Sequence, residues 1–319
     1  MSDQEKEDFV KYALQKVHFY IESKFWSKLD NDTLHKWLNN FKSTDEKYCA
    51  AKLLDRLVYY SEEDIVRLLE FGFNEIVLKR YVLELELEND FKVSNYDILK
   101  FRNKFYSKSV IVPLLSNKNP SESSLAMTRY LTNDLGFPES RILDITNLSG
   151  EVLKNANNLI IIDDFIGSGT QIFDFWNVTK MKIDDTEYTI NKIKSLYPKL
   201  EIEYLCLVCT EEGYLNFHTK NTAVGLKITY CEKLANKFRV FGSTSVYFDR
   251  DEVQENKSII EGLCDKNGIS LLGYQGLDYA IAFHHDIPDS SLPLFYKQTE
   301  NWNPLFRNKK TNTQTDVIV

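Results

Sequence analysis

Residues 159–170 read Leu-Ile-Ile-Ile-Asp-Asp-Phe-Ile-Gly-Ser-Gly-Thr. An apolar run reaches two adjacent carboxylates, a short Gly/Ser/Thr loop follows, and a helical pattern opens behind it. A buried strand, an acidic pair, a glycine loop and a helix start form the layout of a phosphate-binding strand end in an open α/β sheet. That layout requires other strands on either side of this one. The rest of the chain is therefore read by how it precedes, supports or covers this stretch.

The neighbouring segments supply those strands. Residues 109–115, Ser-Val-Ile-Val-Pro-Leu-Leu, are short and apolar throughout. Further strands are expected at Arg141–Ile145, Leu159–Asp163, Ile202–Cys209 and Leu226–Cys231. Helices are expected at Leu125–Leu135, Thr170–Val178, Ile190–Leu196 and Val253–Leu263. Strands alternating with helices imply crossover units and a mainly parallel sheet. In such sheets ligands gather beyond the carboxyl ends of the strands, which singles out the loops after Leu115 and after Asp164. The first of these, Ser116 to Ser124, is polar and contains Lys118. Pro120 suits a first helical turn, and Ser121 and Ser123 are plausible capping hydroxyls. Two such loops side by side suit a substrate with phosphates at both ends.

The first hundred residues read as helices. Apolar stripes mark helices over Asp3–Lys24 and Asp32–Phe41, and Ser43-Thr-Asp-Glu46 is a capping-box pattern before a third. Ser61-Glu-Glu-Asp64 repeats the signal, and another helix is expected over Ile76–Leu87 after a break at Gly72. Trp37 and Phe41 are read as packing anchors rather than a partner surface. No fixed repeat period is present. A chain of 319 residues has room for two domains. The expected division is a helical region over 1–105, an α/β domain with a C-terminal wrap over 106–307, and a flexible tail over 308–319.

Composition sets the outer limits. At 43% hydrophobic and 27% charged residues the chain is globular. A net charge of −8 argues against a dedicated nucleic-acid binder, although a local basic patch would still permit direct contact. No apolar run approaches the roughly 20 residues that span a bilayer, and the charged first residues lack the apolar core of a secretory signal. Five scattered cysteines, Cys49, Cys206, Cys209, Cys231 and Cys264, suit a reducing cytoplasm. Cys206 and Cys209 form a Cys-x-x-Cys inside an apolar run, where buried thiols are the simpler reading.

Adjacent carboxylates such as Asp163 and Asp164 can accept hydrogen bonds from vicinal ribose hydroxyls, hold Mg²⁺, or act as a base. Gly167 and Gly169 let the main chain approach a phosphate closely, and Ser168 and Thr170 add hydroxyls at a helix N-terminus. The helix dipole favours a phosphate dianion, which the acidic pair repels unless a sugar or metal lies between. A ribose 5-phosphate therefore fits better than a bare phosphate. The chain has no Gly-x-x-x-x-Gly-Lys-Ser/Thr and no Gly-x-Gly-x-x-Gly after a strand, which removes the two commonest nucleotide motifs. Near the C-terminus, His284-His285-Asp286 brings two imidazoles and a carboxylate together. Neighbours on an extended chain point opposite ways, so both rings on one metal is disfavoured. One of them in an active site, as general acid or phosphate contact, and both in structural roles stay open. The turns at Pro288, Pro293 and Pro304 suit a segment wrapping over a sheet edge, and Arg307 is a candidate anion ligand.

Residues 159–170 resemble the phosphoribosyl-pyrophosphate (PRPP) signature of type I phosphoribosyltransferases. The resemblance implies that Asp163 and Asp164 contact the ribose hydroxyls and the Mg²⁺ shell. It implies that Gly167, Ser168, Gly169 and Thr170 cradle the 5-phosphate, and that Ser116–Ser124 lies where the family binds pyrophosphate. The family reaction displaces pyrophosphate from the anomeric carbon through an oxocarbenium-like transition state. The loop here is one residue shorter than usual. Gly167 or nothing stands where purine-handling members carry an Asp, which leaves base catalysis and the acceptor open. The stretch from Gly273 to Arg307 is similar to the tail of phosphoribosyltransferase-like proteins of bacterial conflict systems, including effectors of some anti-phage retrons. Those relatives also carry a Trp…Phe pair like Trp37 and Phe41.

The expectation is an α/β fold with a mainly parallel, Rossmann-like sheet of phosphoribosyltransferase type behind an all-helical N-terminal region. Its expected role is a cytoplasmic defence effector that binds PRPP or another ribose phosphate or nucleotide with Mg²⁺ and carries out ribosyl transfer or glycosidic cleavage. Its expected partners are other proteins of a defence operon, a nuclease or a reverse transcriptase with its RNA and DNA. The alternatives are a non-catalytic nucleotide-sensing adaptor and a nucleotide salvage transferase.

Overall fold

The computed structural model describes residues 1–114, 122–183, 186–219 and 226–306, with the backbone alone at 122–126 and 146. Ser116, Lys118, Ser121 and Arg307, and the expected tail over 308–319, lie outside the described residues. Ser123 and Ser124 fall where only the backbone is described. The chain divides into two compact units, Met1–Glu63 with Leu234–Val319, and Asp64–Lys233. The first unit thus joins the N-terminal helices to the C-terminal stretch, whereas the sequence expectation groups residues 106–307 together.

The first unit opens with helices α1 (Asp3–Glu22), α2 (Asn31–Leu38) and α3 (Thr44–Asp55). The capping box before α3 forms as its sequence predicts: Glu46 N donates to Ser43 Oγ, and Ser43 N donates to the Glu46 carboxylate. A short strand β1 (Val58–Tyr60) follows the helices.

The second unit begins with α4 (Glu62–Glu70), which runs through a π-helical segment, Phe71–Leu78, into α5 (Lys79–Glu88). Gly72 was expected to break the helix and does not. A Cβ there would lie 2.4 Å from Cys231 Sγ, so the glycine permits close packing. Helix α6 (Asn95–Lys108) carries a capping box of Ser94 and Asp97 that the sequence reading passed over. Strand β2 (Ser109–Pro113), helix α7 (Glu122–Asn133) and helix α8 (Gly150–Asn155) precede the central strand β3 (Asn158–Ile166). The strand expected over Arg141–Ile145 reduces to a single parallel bridge of Ile142 to Ile111 between two 3-10 turns, Glu139–Arg141 and Ile145–Asn147. Helix α9 (Thr170–Asn177), a β4 (Lys180–Ile183)–β5 (Thr186–Thr189) antiparallel pair, α10 (Ile190–Leu196), β6 (Glu201–Thr210), α11 (Glu211–Thr219) and β7 (Leu226–Leu234) complete this part. The sheet order is β2-β3-β6-β7, with β3 parallel to both β2 and β6. The fold is thus α/β with a Rossmann-like, mainly parallel sheet, and β3 lies between two partners, as its apolar run requires.

The chain then returns to the first unit through α12 (Val253–Lys266) and β8 (Ile281–Phe283), which pairs parallel with β1. Trp37 and Phe41 are the packing anchors expected. Trp37 stacks on Phe295 at 5.7 Å, and Phe41 meets Trp302 edge-on at 5.4 Å. The indoles of Trp37 and Trp302 both donate to the Leu294 carbonyl at 2.9 Å. The tail therefore packs on the N-terminal helices of its own unit. Arg239 pairs with the buried Asp278, whose other oxygen accepts from Phe241 N, and this pins the start of the tail.

Candidate functional site

β3 does not end at the acidic pair. Its pairing with β6 runs on through Phe165↔Val208 and Ile166↔Cys209, so Asp163 and Asp164 lie within the strand. Alternation along a strand sends the two side chains to opposite faces. Asp163 is buried on the face of Leu159, Ile161 and Tyr204, whereas Asp164 is half-buried. Tyr204 stands opposite Ile161 in the register, one diagonal step from Asp163. Its hydroxyl donates to Asp163 Oδ2 at 2.5 Å. Asp163 Oδ1 accepts from the Asp164 backbone N–H at 3.0 Å.

Both Asp163 oxygens thus have protein partners. Burial, and after it the Asp164 carboxylate, push the Asp163 carboxyl well above the usual carboxylate range. The Tyr204 phenol is driven up in turn by burial and by Asp163. The two carboxylates thus have unlike surroundings: Asp163 is buried and held by the Tyr204 hydroxyl and the Asp164 amide, whereas Asp164 is half-buried.

The loop after β3 is built on a helix that sequence reading missed. Thr210, at the end of β6, caps α11 by accepting from Gly213 N at 2.9 Å. The same hydroxyl donates to Gly167 O at 2.6 Å. Asn216, one turn further along α11, donates to Ser168 O at 3.3 Å. Gly169 has φ +81°, and a Cβ on it would lie 2.8 Å from Gly213 O. A Cβ on Gly213 would lie 2.2 Å from Gly167 O. Loop and helix thus approach backbone to backbone, and only glycine fits at either contact. The signal available in sequence was the Thr-Glu-Glu-Gly following the β6 run.

Gly169 precedes α9, and Phe173 N donates to its carbonyl at 3.2 Å. Ser168 Oγ donates to Thr170 Oγ1 at 3.1 Å and accepts from Thr170 N at 3.4 Å. Gly167, Ser168, Gly169 and Thr170 therefore sit together at a helix N-terminus, where amide groups and dipole favour an anion.

Of the two carboxylates that the sequence resemblance assigns to Mg²⁺, Asp164 is the half-buried one and Asp163 the buried one. Mg²⁺ keeps much of its water and takes one or two carboxylates plus substrate oxygens, so such a site fits a metal arriving with a phosphate ligand. Among the described residues no group of three or more His, Cys, Asp or Glu is arranged to hold a metal by itself.

The two histidines lie in the other unit, and every hydrogen bond or ion pair described for them falls inside it. His284 Nδ1 is 2.9 Å from Ser27 Oγ, and Nε2 is 3.7 Å from a Glu62 oxygen. Burial pulls the His284 imidazole below its usual value. The His285 ring stacks on Phe283 at 5.6 Å. Cys206 and Cys209 are buried free thiols, both pushed up by burial. No helix among the described residues is long and apolar enough to cross a membrane.

No curated protein matches the sequence. The family model PRTase-CE does, over residues 34–308, which takes in the sheet, the loop from Gly167 to Thr170 and most of the tail. With its parallel sheet and phosphate-type loop, the chain is a phosphoribosyltransferase-like protein and belongs to the PRTase-CE family.

Proposed function

We propose that the second unit binds PRPP or a related ribose 5-phosphate, with the phosphate in the Gly167–Thr170 loop and the ribose beside Asp164. The observation that carries this reading is the bracing of that loop by Thr210, Gly213 and Asn216 at the head of α9. A loop held in place before the ligand arrives loses little freedom on binding. Mg²⁺, held by Asp164 and by ligand oxygens, would neutralise charge on a pyrophosphate group. In ribosyl transfer, pyrophosphate leaves the anomeric carbon as an acceptor or water bonds to it, and the acceptor proton passes to solvent or to the leaving group. The fixed amides at the loop hold the reacting sugar still during that exchange. The resemblance of the tail to conflict-system effectors supports a role for this chemistry in anti-phage defence, with other products of its operon as partners.

The burial of Asp163 favours a second reading, in which the pocket senses a nucleotide and controls a partner. Incubation with PRPP and Mg²⁺, followed by phosphorus NMR, separates the two. Released pyrophosphate supports the transferase or hydrolase reading. Bound but intact PRPP supports the sensor. A folded protein that leaves the PRPP resonances unshifted contradicts both. The defence role is tested by phage challenge of cells carrying the gene with its neighbours: Asp164→Asn is expected to abolish protection, and full protection by that variant contradicts the role given to the site.

A further inference from the structure

Ser27, Tyr59, Glu62 and His284 belong to the first unit and take no part in the ribose phosphate site. β1 and β8 lie parallel, with Tyr59 opposite Ala282 and Tyr60 opposite Phe283. His284 follows β8 and donates its backbone N–H to Tyr60 O at 2.7 Å. This register sets His284 beside the residues that leave β1, and Glu62 Oε2 lies 3.7 Å from its Nε2. The connection between α1 and α2 supplies a hydroxyl. It is anchored by the buried Trp26, whose N–H donates to Tyr20 O at 3.0 Å and whose carbonyl accepts from Leu29 N at 3.0 Å. Ser27 follows that anchor, and its Oγ lies 2.9 Å from His284 Nδ1. The Tyr59 phenol reaches the Ser27 side chain and accepts from Lys28 N at 3.4 Å. The Tyr59 ring packs on Trp26 at 5.9 Å and on Phe306 at 6.3 Å, which fixes its hydroxyl.

The arrangement has the parts of an activated serine. An ionised carboxylate only accepts, so Glu62 favours the ring proton on Nε2 and leaves the Nδ1 lone pair for the Ser27 hydroxyl. Burial, and after it the charge of Lys28, draw the imidazole below its usual value; Glu62 opposes them, and His285 adds to the lowering. The ring is then neutral at pH 7 and able to take a proton. A nucleophile on a base that a third group orients is the pattern of covalent acyl transfer. The Lys28 amide directly follows the nucleophile, and with the Tyr59 hydroxyl it offers two donors to an oxyanion. Ser27 and Lys28 are exposed, as is 58% of the Glu62 side chain, so solvent and small solutes reach the hydroxyl.

We propose that Ser27, His284 and Glu62 form a second, esterase-type site that takes a carboxylic ester. The Ser27 oxygen bonds to the ester carbonyl carbon as its proton passes to His284 Nδ1. The carbon–oxygen bond to the leaving alcohol breaks, and the alcohol departs with that proton. Water then attacks the acyl-serine and gives a proton to Nδ1 as the bond from Ser27 to the acyl group breaks. The carboxylic acid is released, and the proton on Nδ1 returns to the Ser27 oxygen. Ser27 and His284 are the catalytic residues, and Glu62 is a positioning residue.

Labelling of the full chain with a fluorophosphonate, and its turnover of p-nitrophenyl acetate, test this. The wild type is expected to take up the fluorophosphonate on Ser27, located by peptide mass spectrometry, and to release p-nitrophenol. Ser27→Ala is expected to lose both. His284→Gln is expected to slow labelling by about a hundredfold, the effect of losing a general base. Glu62→Gln is expected to slow it by about threefold, as a partly exposed ion pair allows. The same variant should move the pH midpoint of labelling downward, since the carboxylate that raises the ring is gone. Far-UV circular dichroism checks that each variant is folded. A folded wild type whose Ser27 stays unlabelled overturns the proposal, even where the ester is hydrolysed elsewhere on the chain. Labelling of Ser27 that His284→Gln leaves unchanged overturns it as well, since the hydrogen bond would then be structural only.

Discussion

The Tyr204 hydroxyl holds Asp163 at 2.5 Å, and both side chains are buried in the sheet. The acidic pair thus consists of two carboxylates in unlike surroundings. The burial that raises the Asp163 carboxyl also sets the sign of its effect on stability. Below an unfolded value near 4, both folded and unfolded states hold the proton. As pH rises, the unfolded state ionises first, so the folded state binds more protons and stability falls with pH. Asn does not titrate. Asp163→Asn should therefore gain stability relative to the wild type between pH 4 and pH 8, read as the difference in urea midpoints. A difference that does not change with pH contradicts the assignment.

Gly213→Ala should damage the ligand loop from the far side. The added carbon would lie 2.2 Å from Gly167 O and 2.9 Å from Ile166 Cγ2, and the backbone oxygen cannot swing away as a flexible side chain could. Overpacking of this kind costs about 1–3 kcal/mol. We expect a lower melting temperature together with ribose 5-phosphate binding weakened by roughly tenfold or more. Unchanged binding by a folded variant would separate the loop from α11.

Trp37 and Trp302 should prove coupled. Both indoles donate to Leu294 O at 2.9 Å, so replacing one leaves that carbonyl with a donor. Replacing both removes the pair of donors described for a buried acceptor, and an unpaired buried group costs about 1–3 kcal/mol. Urea unfolding of Trp37→Phe, Trp302→Phe and the double variant should show the double losing roughly 1 kcal/mol more than the sum of the singles.

His284 carries the opposite sign from Asp163. Its imidazole is lowered by burial, so between its folded value and about 6.5 the unfolded state binds more protons. Its contribution is complete above that window and is lost as pH falls through the folded value. The stability advantage of the wild type over His284→Gln should shrink as pH falls below about 6.5, measured by thermal melts at pH 5, 6 and 7.5. An advantage that grows on acidification contradicts a neutral, half-buried ring.

The central strand, the loop and the α9 start were legible in sequence because periodicity and glycine chemistry are local. The capping box at Ser43 and Glu46 was legible for the same reason. Arg141–Ile145 has the apolar content of a strand, but the turns on both sides leave room for one bridge, at Ile142. Gly72 read as a break because its partner, Cys231, is far away in sequence. Tyr204 was hidden in an apolar run, where nothing marks a hydroxyl that will meet an aspartate. Thr210, Gly213 and Asn216 matter through their contacts with a distant loop, and no spacing within α11 announces that. The association of the tail with the N-terminal helices likewise depends on pairings such as Trp37 with Leu294, 257 residues apart.

The unequal roles of the two aspartates are tested most directly by titration calorimetry of ribose 5-phosphate and PRPP, with and without Mg²⁺. The wild type should bind, and Asp163→Asn should bind within about threefold of it, a change under 1 kcal/mol. Asp164→Asn should lose about tenfold or more in affinity, and with it the response to Mg²⁺. Loss of binding in Asp163→Asn with Asp164→Asn unaffected, or no heat from the folded wild type, would contradict the account.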